Sequence, residues 1–147
     1  MQFGVHKMTW GPYFNPDDLE PFFEQARMIG AETVEFRPMD AMLKLDLHKC
    51  HETRRLLEKY DLKPKFTYGF PRHLDMRSAN LFIREYATDY LIRGIRCVAE
   101  SGGKNIGSAG IYACWPTFYD HGMILPEDKV EHTKRSIECV QKAVRVA

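Results

Sequence analysis

The feature that most limits what this chain can fold into is a fourfold alternation of short apolar runs with longer amphipathic stretches. The short runs are Phe3-Gly4-Val5-His6-Lys7-Met8, Thr33-Val34-Glu35-Phe36, Lys65-Phe66-Thr67-Tyr68-Gly69-Phe70 and the stretch from Lys104 to Tyr112. Their β-branched and aromatic residues suit strands. Strand starts recur at about 30 to 40 residues, enough for one helical crossover each. Between and after them, apolar residues fall at helical spacing: Leu19, Phe22, Phe23, Ala26 and Ile29; Leu45 or Leu47 with Cys50, Thr53, Leu56, Leu57 and Tyr60; Leu81, Ile83, Tyr86, Ala87, Tyr90, Leu91, Gly94, Ile95 and Val98; then Val130, Thr133, Ile137, Val140 and Val144. The order β-α-β-α-β-α-β-α predicts an α/β fold, a parallel sheet with right-handed crossovers.

The punctuation agrees with this order. Asn15-Pro16-Asp17-Asp18 is a helix-opening pattern, with a capping side chain, a proline suited to the first turn and acids at the positive helix end. Gly30 supplies a stop, Asp61-Leu62-Lys63-Pro64 breaks the second helix, Ser78 is placed to cap the third and Gly102-Gly103 closes it. Pro126-Glu127-Asp128 opens the fourth. Two loops, Pro71 to Arg77 and Ala113 to Leu125, exceed a minimal β-to-α turn and are candidate site loops. The fourth strand is rich in small residues, which allow close approach to its backbone.

Two architectures satisfy this pattern: a small open doubly wound sheet, or half of a barrel. The turn after the first strand, Thr9-Trp10-Gly11-Pro12-Tyr13-Phe14, is aromatic and lacks the G-x-G-x-x-G phosphate cradle of many open sheets. A complete (β/α)₈ barrel needs about 250 residues, so a 147-residue chain with four units has the size of half of one. The whole of residues 1–147 is expected to be one partial-barrel domain.

Composition excludes some classes. The formal net charge is +1 with no basic block, which weighs against nucleic acid as a partner. No run approaches the roughly 18 apolar residues of a membrane span, and the N-terminus lacks the pattern of a secretory signal. The four cysteines, Cys50, Cys97, Cys114 and Cys139, include no C-x-x-C pair. They are read as reduced, structural thiols of a cytoplasmic protein.

Three stretches carry a resemblance. Met1 to Trp10 is similar to an opening barrel strand that ends in an aromatic. Gly69-Phe70-Pro71-Arg72-His73-Leu74-Asp75-Met76-Arg77-Ser78 is similar to a third-strand loop leading to a capping serine. Ile106-Gly107-Ser108-Ala109-Gly110-Ile111-Tyr112-Ala113-Cys114-Trp115-Pro116 is similar to a glycine-rich fourth strand followed by Trp-Pro. Together they resemble the sugar phosphate isomerase/epimerase superfamily of xylose-isomerase-like TIM barrels, closest to the D-tagatose and D-allulose (psicose) 3-epimerases. The resemblance covers the whole chain and implies strands one to four and helices one to four, the N-terminal half of the barrel.

That family implies a chemistry. Two glutamates on opposite faces of a carbon next to a ketone remove and return its proton. A divalent ion, manganese or cobalt, binds substrate oxygens and stabilises the enediolate charge. The family's metal ligands come from strands five to eight. The resemblance therefore puts no metal ligand and neither catalytic glutamate in this chain, and implies that the chain alone is inactive. It leaves the chain the substrate-shaping half of a ketose 3-epimerase-like enzyme, with the strand ends His6, Gly69, Phe70 and Gly110 facing the sugar. His6 stands where the family has a sugar-reaching aromatic, Phe14 where it has a walling tryptophan, and Trp115 matches an aromatic that packs on the sugar carbons.

Plainer readings stand beside these. Glu35 at a strand end is expected to pair with Arg37 or a neighbouring strand rather than act as a base. His48 and His51, three apart on an outer helix, are weak metal candidates, and Asp120 with His121 reads as a solvated loop. An incomplete barrel has unpaired edges, so its expected partners, besides a ketose, are a second copy of itself or the missing barrel half. Alternatives are a self-assembling or docking half-barrel module, an isomerase or inosose dehydratase-like member of the superfamily, and an unrelated open-sheet binding protein.

Overall fold

Alternating burial along two short strands organises the architecture. In a computed structural model, which describes residues 3–7, 9, 18–37, 44–68, 70, 71, 73–108 and 126–146, Val34 and Phe36 turn one way out of their strand and are fully buried, while Glu35 turns the other way. The elements are β1 (Gly4–His6), α1 (Glu20–Met28), β2 (Thr33–Phe36), α2 (Leu47–Lys59), β3 (Lys63–Tyr68), α3 (Leu81–Glu100), β4 (Ile106–Ser108) and α4 (Pro126–Val144). The strands form one sheet in the order β1-β2-β3-β4. β1 pairs parallel to β2 with His6 opposite Glu35, and β2 pairs parallel to β3 with Glu35 opposite Lys65 and Phe36 opposite Phe66. This is the expected α/β fold: four parallel strands, each followed by a helix.

The chain divides into two compact units: Met1–Thr67 with Gly94–Gly107, and Tyr68–Arg93 with Ser108–Ala147. The first is built on aromatic rings. Phe22 and Phe23 of α1, Phe36 of β2 and Phe66 of β3 form a continuous chain, with centroids 5.6, 5.2 and 5.0 Å apart in turn. All four are buried, and each contributes about 1.5–3 kcal/mol over an exposed ring. α2 adds Cys50, Thr53 and Leu57 to this core. Gly103 lets the chain turn into β4 against it: a Cβ there would sit 2.5 Å from the Phe66 ring and 2.6 Å from Val98.

The second unit centres on the loop before α3. Arg77, only 4% exposed, holds Asp75 through two parallel hydrogen bonds, Nε to Oδ1 at 3.0 Å and Nη2 to Oδ2 at 3.1 Å, and its backbone N–H donates to the same carboxylate at 2.9 Å. A bidentate pair of this kind is strong and directional. Leu74 and Met76 are buried on either side of Asp75. α4 grips this loop: Arg135 donates to the Arg77 carbonyl at 3.2 Å, and the Cys139 thiol donates to the Met76 carbonyl at 3.6 Å.

Several local expectations shift. The described α1 begins at Glu20, with Leu19 at its cap making no side-chain bond and Pro21 in its first turn; Asn15 to Asp17 lie outside the described residues. Gly30 does end that helix region, at φ 81°. α2 starts two residues later than Leu45, which is left-handed at φ 49°, because Asp46 caps it by accepting from the Lys49 N–H at 3.2 Å. α3 is capped by Asn80, whose side chain accepts from the Phe82 N–H at 2.9 Å. Ser78 acts one step earlier, accepting from the Asn80 N–H.

β3 starts at Lys63 rather than Lys65, with Pro64 inside it. The ladder tolerates this proline because Lys63 donates to the Glu32 carbonyl at 2.9 Å. Alternation then turns the position of Pro64 away from β2, where no N–H is required. On α4 the expected face is rotated: Ser136, Cys139 and Ala143 are buried, while Val130, Ile137 and Val144 are exposed. The small residues let the helix sit close on the Met76–Arg77 backbone, which large β-branched side chains would hold off.

Two substitutions test this packing. Gly103→Ala is expected to lower unfolding free energy by about 1–3 kcal/mol in urea titrations, because the new methyl overlaps Phe66 and Val98. Asp75→Asn is expected to cost about 3 kcal/mol, read from the same titrations, because it removes the charge that the buried Arg77 guanidinium holds through two parallel hydrogen bonds.

Candidate functional site

The sheet face opposite the phenylalanine core is polar at the strand ends. Register places His6 beside Glu35, and period-two alternation puts Thr67 on the same face as Lys65, which lies opposite Glu35. The three side chains meet. His6 Nε2 lies 4.0 Å from Glu35 Oε1. This is ion-pair range when the imidazole is protonated, and too long for a direct hydrogen bond. The Thr67 hydroxyl reaches Glu35 Oε1 at 3.5 Å and the Phe36 carbonyl at 3.4 Å. It has one proton and so donates to one of them at a time.

His6 closes β1, and Glu35 and Thr67 are next to last in β2 and β3, the strand ends at which barrel enzymes place their sites. The His6 and Glu35 side chains are 36% and 41% exposed, open enough to meet a solute. A carboxylate, an imidazole and a hydroxyl on one face supply both donors and acceptors for a polyhydroxylated ligand. Glu35 therefore does pair with neighbouring strands, as expected from its position. Thr67 went unremarked in the sequence, and the signal for it was its two-residue offset from Lys65.

The other expected contact residues are placed differently. Phe70 lies in the second unit, where its ring meets the Tyr90 ring edge-on at 5.4 Å and 67°. Phe14, Gly69, Gly110 and Trp115 lie outside the described residues, as do Asp120 and His121. His51 pairs with Glu100 at 3.0 Å. Among the described residues no three His, Cys, Asp or Glu side chains group so as to hold a metal ion. A cavity of about 410 Å³ opens at the start of β3, lined by Lys63, Pro64, Leu57, Arg54 and Ser101 among others; that end of the strand is opposite the His6–Glu35–Thr67 group.

Along its entire length the chain superimposes on solved sugar epimerases. The D-psicose 3-epimerase of Clostridium cellulolyticum H10, determined with D-tagatose, matches at TM-score 0.81 and 18% identity over 99% of this chain and 48% of that one. The chain has the fold of half a ketose 3-epimerase barrel. The D-allulose 3-epimerase of Methylomonas sp., in complex with D-allulose, matches at TM-score 0.73 and 17% identity over 99% and 47%. An L-ribulose 3-epimerase matches at TM-score 0.74 and 19% identity over 99% and 46%. The chain thus spans about half the length of these epimerases, as four β/α units require. No family model matches the sequence, and no curated protein matches it. Among the described residues, no helix is long and apolar enough to cross a membrane.

Thr67→Val is expected to change stability by less than about 1 kcal/mol, because both of its hydrogen bonds are long. Thermal unfolding checks this, and a near-neutral result makes the variant a clean probe of ligand contact at the strand ends.

Proposed function

We propose that this chain is the substrate-shaping half of a ketose 3-epimerase-like sugar epimerase, which exchanges a proton next to a ketone with the help of a divalent metal ion. The observation that carries the reading is the superposition of 99% of the chain on a D-psicose 3-epimerase at TM-score 0.81. The polar strand-end group of His6, Glu35 and Thr67 supports it, since it lies at the end of the sheet where a barrel binds substrate.

In this reading the whole of residues 1–147 acts as one partial-barrel domain in the cytoplasm. His6 and Glu35 hold sugar hydroxyls by hydrogen bonds, with Thr67 fixing the orientation of the Glu35 carboxylate. Phe14, Phe70 and Trp115 form apolar walls against the sugar carbons, and Gly69 and Gly110 let the ligand approach the backbone. The ion, manganese or cobalt, supplies positive charge to the oxygens flanking the reacting carbon. The described residues do not form a donor set for it. Its ligands and the proton-transferring glutamates belong to a second barrel half, either further chain or a partner, and the 147 residues alone are inactive. A second copy of the chain, pairing edge to edge, is the other partner this reading admits.

Backbone amide shifts during titration with D-allulose, D-tagatose and L-ribulose test this. Shifts are expected at His6, Glu35 and Thr67, with millimolar affinity. Saturating ketose that moves none of the three would overturn the assignment of the site. With added Mn²⁺ or Co²⁺ in D₂O, the isolated chain is expected to leave the ketose hydrogen next to the carbonyl unexchanged; catalysed exchange would overturn the division of labour between halves.

A further inference from the structure

Two cysteines that lie far apart in sequence meet inside the first unit. Cys50 Sγ of α2 and Cys97 Sγ of α3 are 3.0 Å apart, both are free thiols, and both are fully buried. A second contact holds these helices together at the same level: His51 Nε2 lies 3.0 Å from Glu100 Oε2, one residue after Cys50 and three after Cys97. The sulfurs are therefore held close by a contact on the neighbouring turn. They need to approach by only about 1 Å to reach the length of an S–S bond.

The surroundings favour chemistry over inertness. Ser101 is buried, and its hydroxyl has no hydrogen bond of ordinary geometry, yet it stands beside both sulfurs and favours their ionised forms. The same residue lines the cavity of about 410 Å³ at the start of β3, so a small polar oxidant reaching that cavity is one side chain from the thiols. The two sulfurs are unequal. The sulfur–sulfur contact with Cys97 holds the Cys50 thiol below its ordinary value, against the opposing effect of burial. That same contact with Cys50, together with burial, pushes the Cys97 thiol far up. One is thus poised as nucleophile and the other as a resolving thiol.

We propose that Cys50 and Cys97 form an oxidation site, at which hydrogen peroxide closes a disulfide that ties α2 to α3. The Cys50 thiolate attacks one peroxide oxygen and the O–O bond breaks. Cys50 becomes a sulfenic acid, and the departing hydroxide takes up the proton released by the thiol to leave as water. The Cys97 sulfur then attacks the Cys50 sulfur, the S–O bond breaks, and a second water leaves with the Cys97 proton. Two thiols lose two electrons and two protons in total, and one peroxide is reduced to two waters. The Ser101 hydroxyl, which stands beside both sulfurs, donates to the sulfenate oxygen between the steps.

The test uses the wild-type chain, reduced, then treated with hydrogen peroxide, quenched with catalase and alkylated with N-ethylmaleimide in denaturant. Intact mass and unreduced peptide mapping are the readouts. The expected result is loss of alkylation at two of the four cysteines, a mass lower by two hydrogens before alkylation, and a peptide pair joining Cys50 to Cys97 that dithiothreitol separates. Exposed Met28, at 79%, reports that oxidant was sufficient. Sulfoxide at Met28 with all four cysteines still alkylated would overturn the proposal. So would a cross-link that pairs either cysteine with Cys114 or Cys139 instead, or Cys50 driven to sulfinic acid while Cys97 stays a thiol.

Discussion

The tilted ring contact of Phe36 with Phe66 is the interaction on which the first unit depends. These rings sit on adjacent strands in register, so their packing and the strand pairing enforce each other. Phe23 extends the contact to α1, and Gly103 meets the Phe66 ring from the chain that leads to β4. Helix, two strands and the approach to a third are thus referred to one pair of side chains. Their closeness leaves Gly103 no room for a methyl group. Because alternation sends these phenylalanines to one side of the sheet, it must send Glu35 and Thr67 to the other. The polar group at the strand ends is a geometric consequence of the apolar core behind it.

Much of this was legible in the residues. Four strands, four helices, their order and their parallel arrangement follow from periodicity alone, since Val34-Glu35-Phe36 alternates cleanly and the α1 residues Phe22, Phe23 and Ala26 recur at helical spacing. What periodicity could not rank was the competition between side chains of different size. On α4 the large Val130, Ile137 and Val144 look like the inward face. The small Ser136, Cys139 and Ala143 win because the partner surface is the backbone of Met76 and Arg77, approached to hydrogen-bonding distance. Capping shows the same limit. Ser78 reads as the cap, and only the folded chain shows that Asn80 closes the helix while Ser78 orients Asn80.

The site was legible in a different measure. Strand-end position puts His6 among the candidates, and register places Glu35 beside it. Thr67 was hidden because a threonine in a strand is ordinary, and only pairing across two strands gives it a neighbour. The Cys50–Cys97 contact was hidden more deeply, since nothing local marks which two of four widely spaced cysteines share a helix interface. Phe70 shows the converse: an aromatic at a strand end, read as a wall for ligand, also has Tyr90 against it and takes part in packing its own unit.

Pro64 illustrates how a residue that looks like a breaker can act as a stop peg for pairing. It is the second residue of β3, turned toward the side on which β4 runs, while the β2 side is served by Lys63. β4 meets β3 near the Phe66 carbonyl, beyond the proline. If β4 slid backwards by one repeat, it would offer a carbonyl to a nitrogen with no hydrogen to give. The slipped alignment would forfeit a bond that the correct one keeps, so a single imino acid discriminates against misthreading at a strand pair to which β4 brings only three residues.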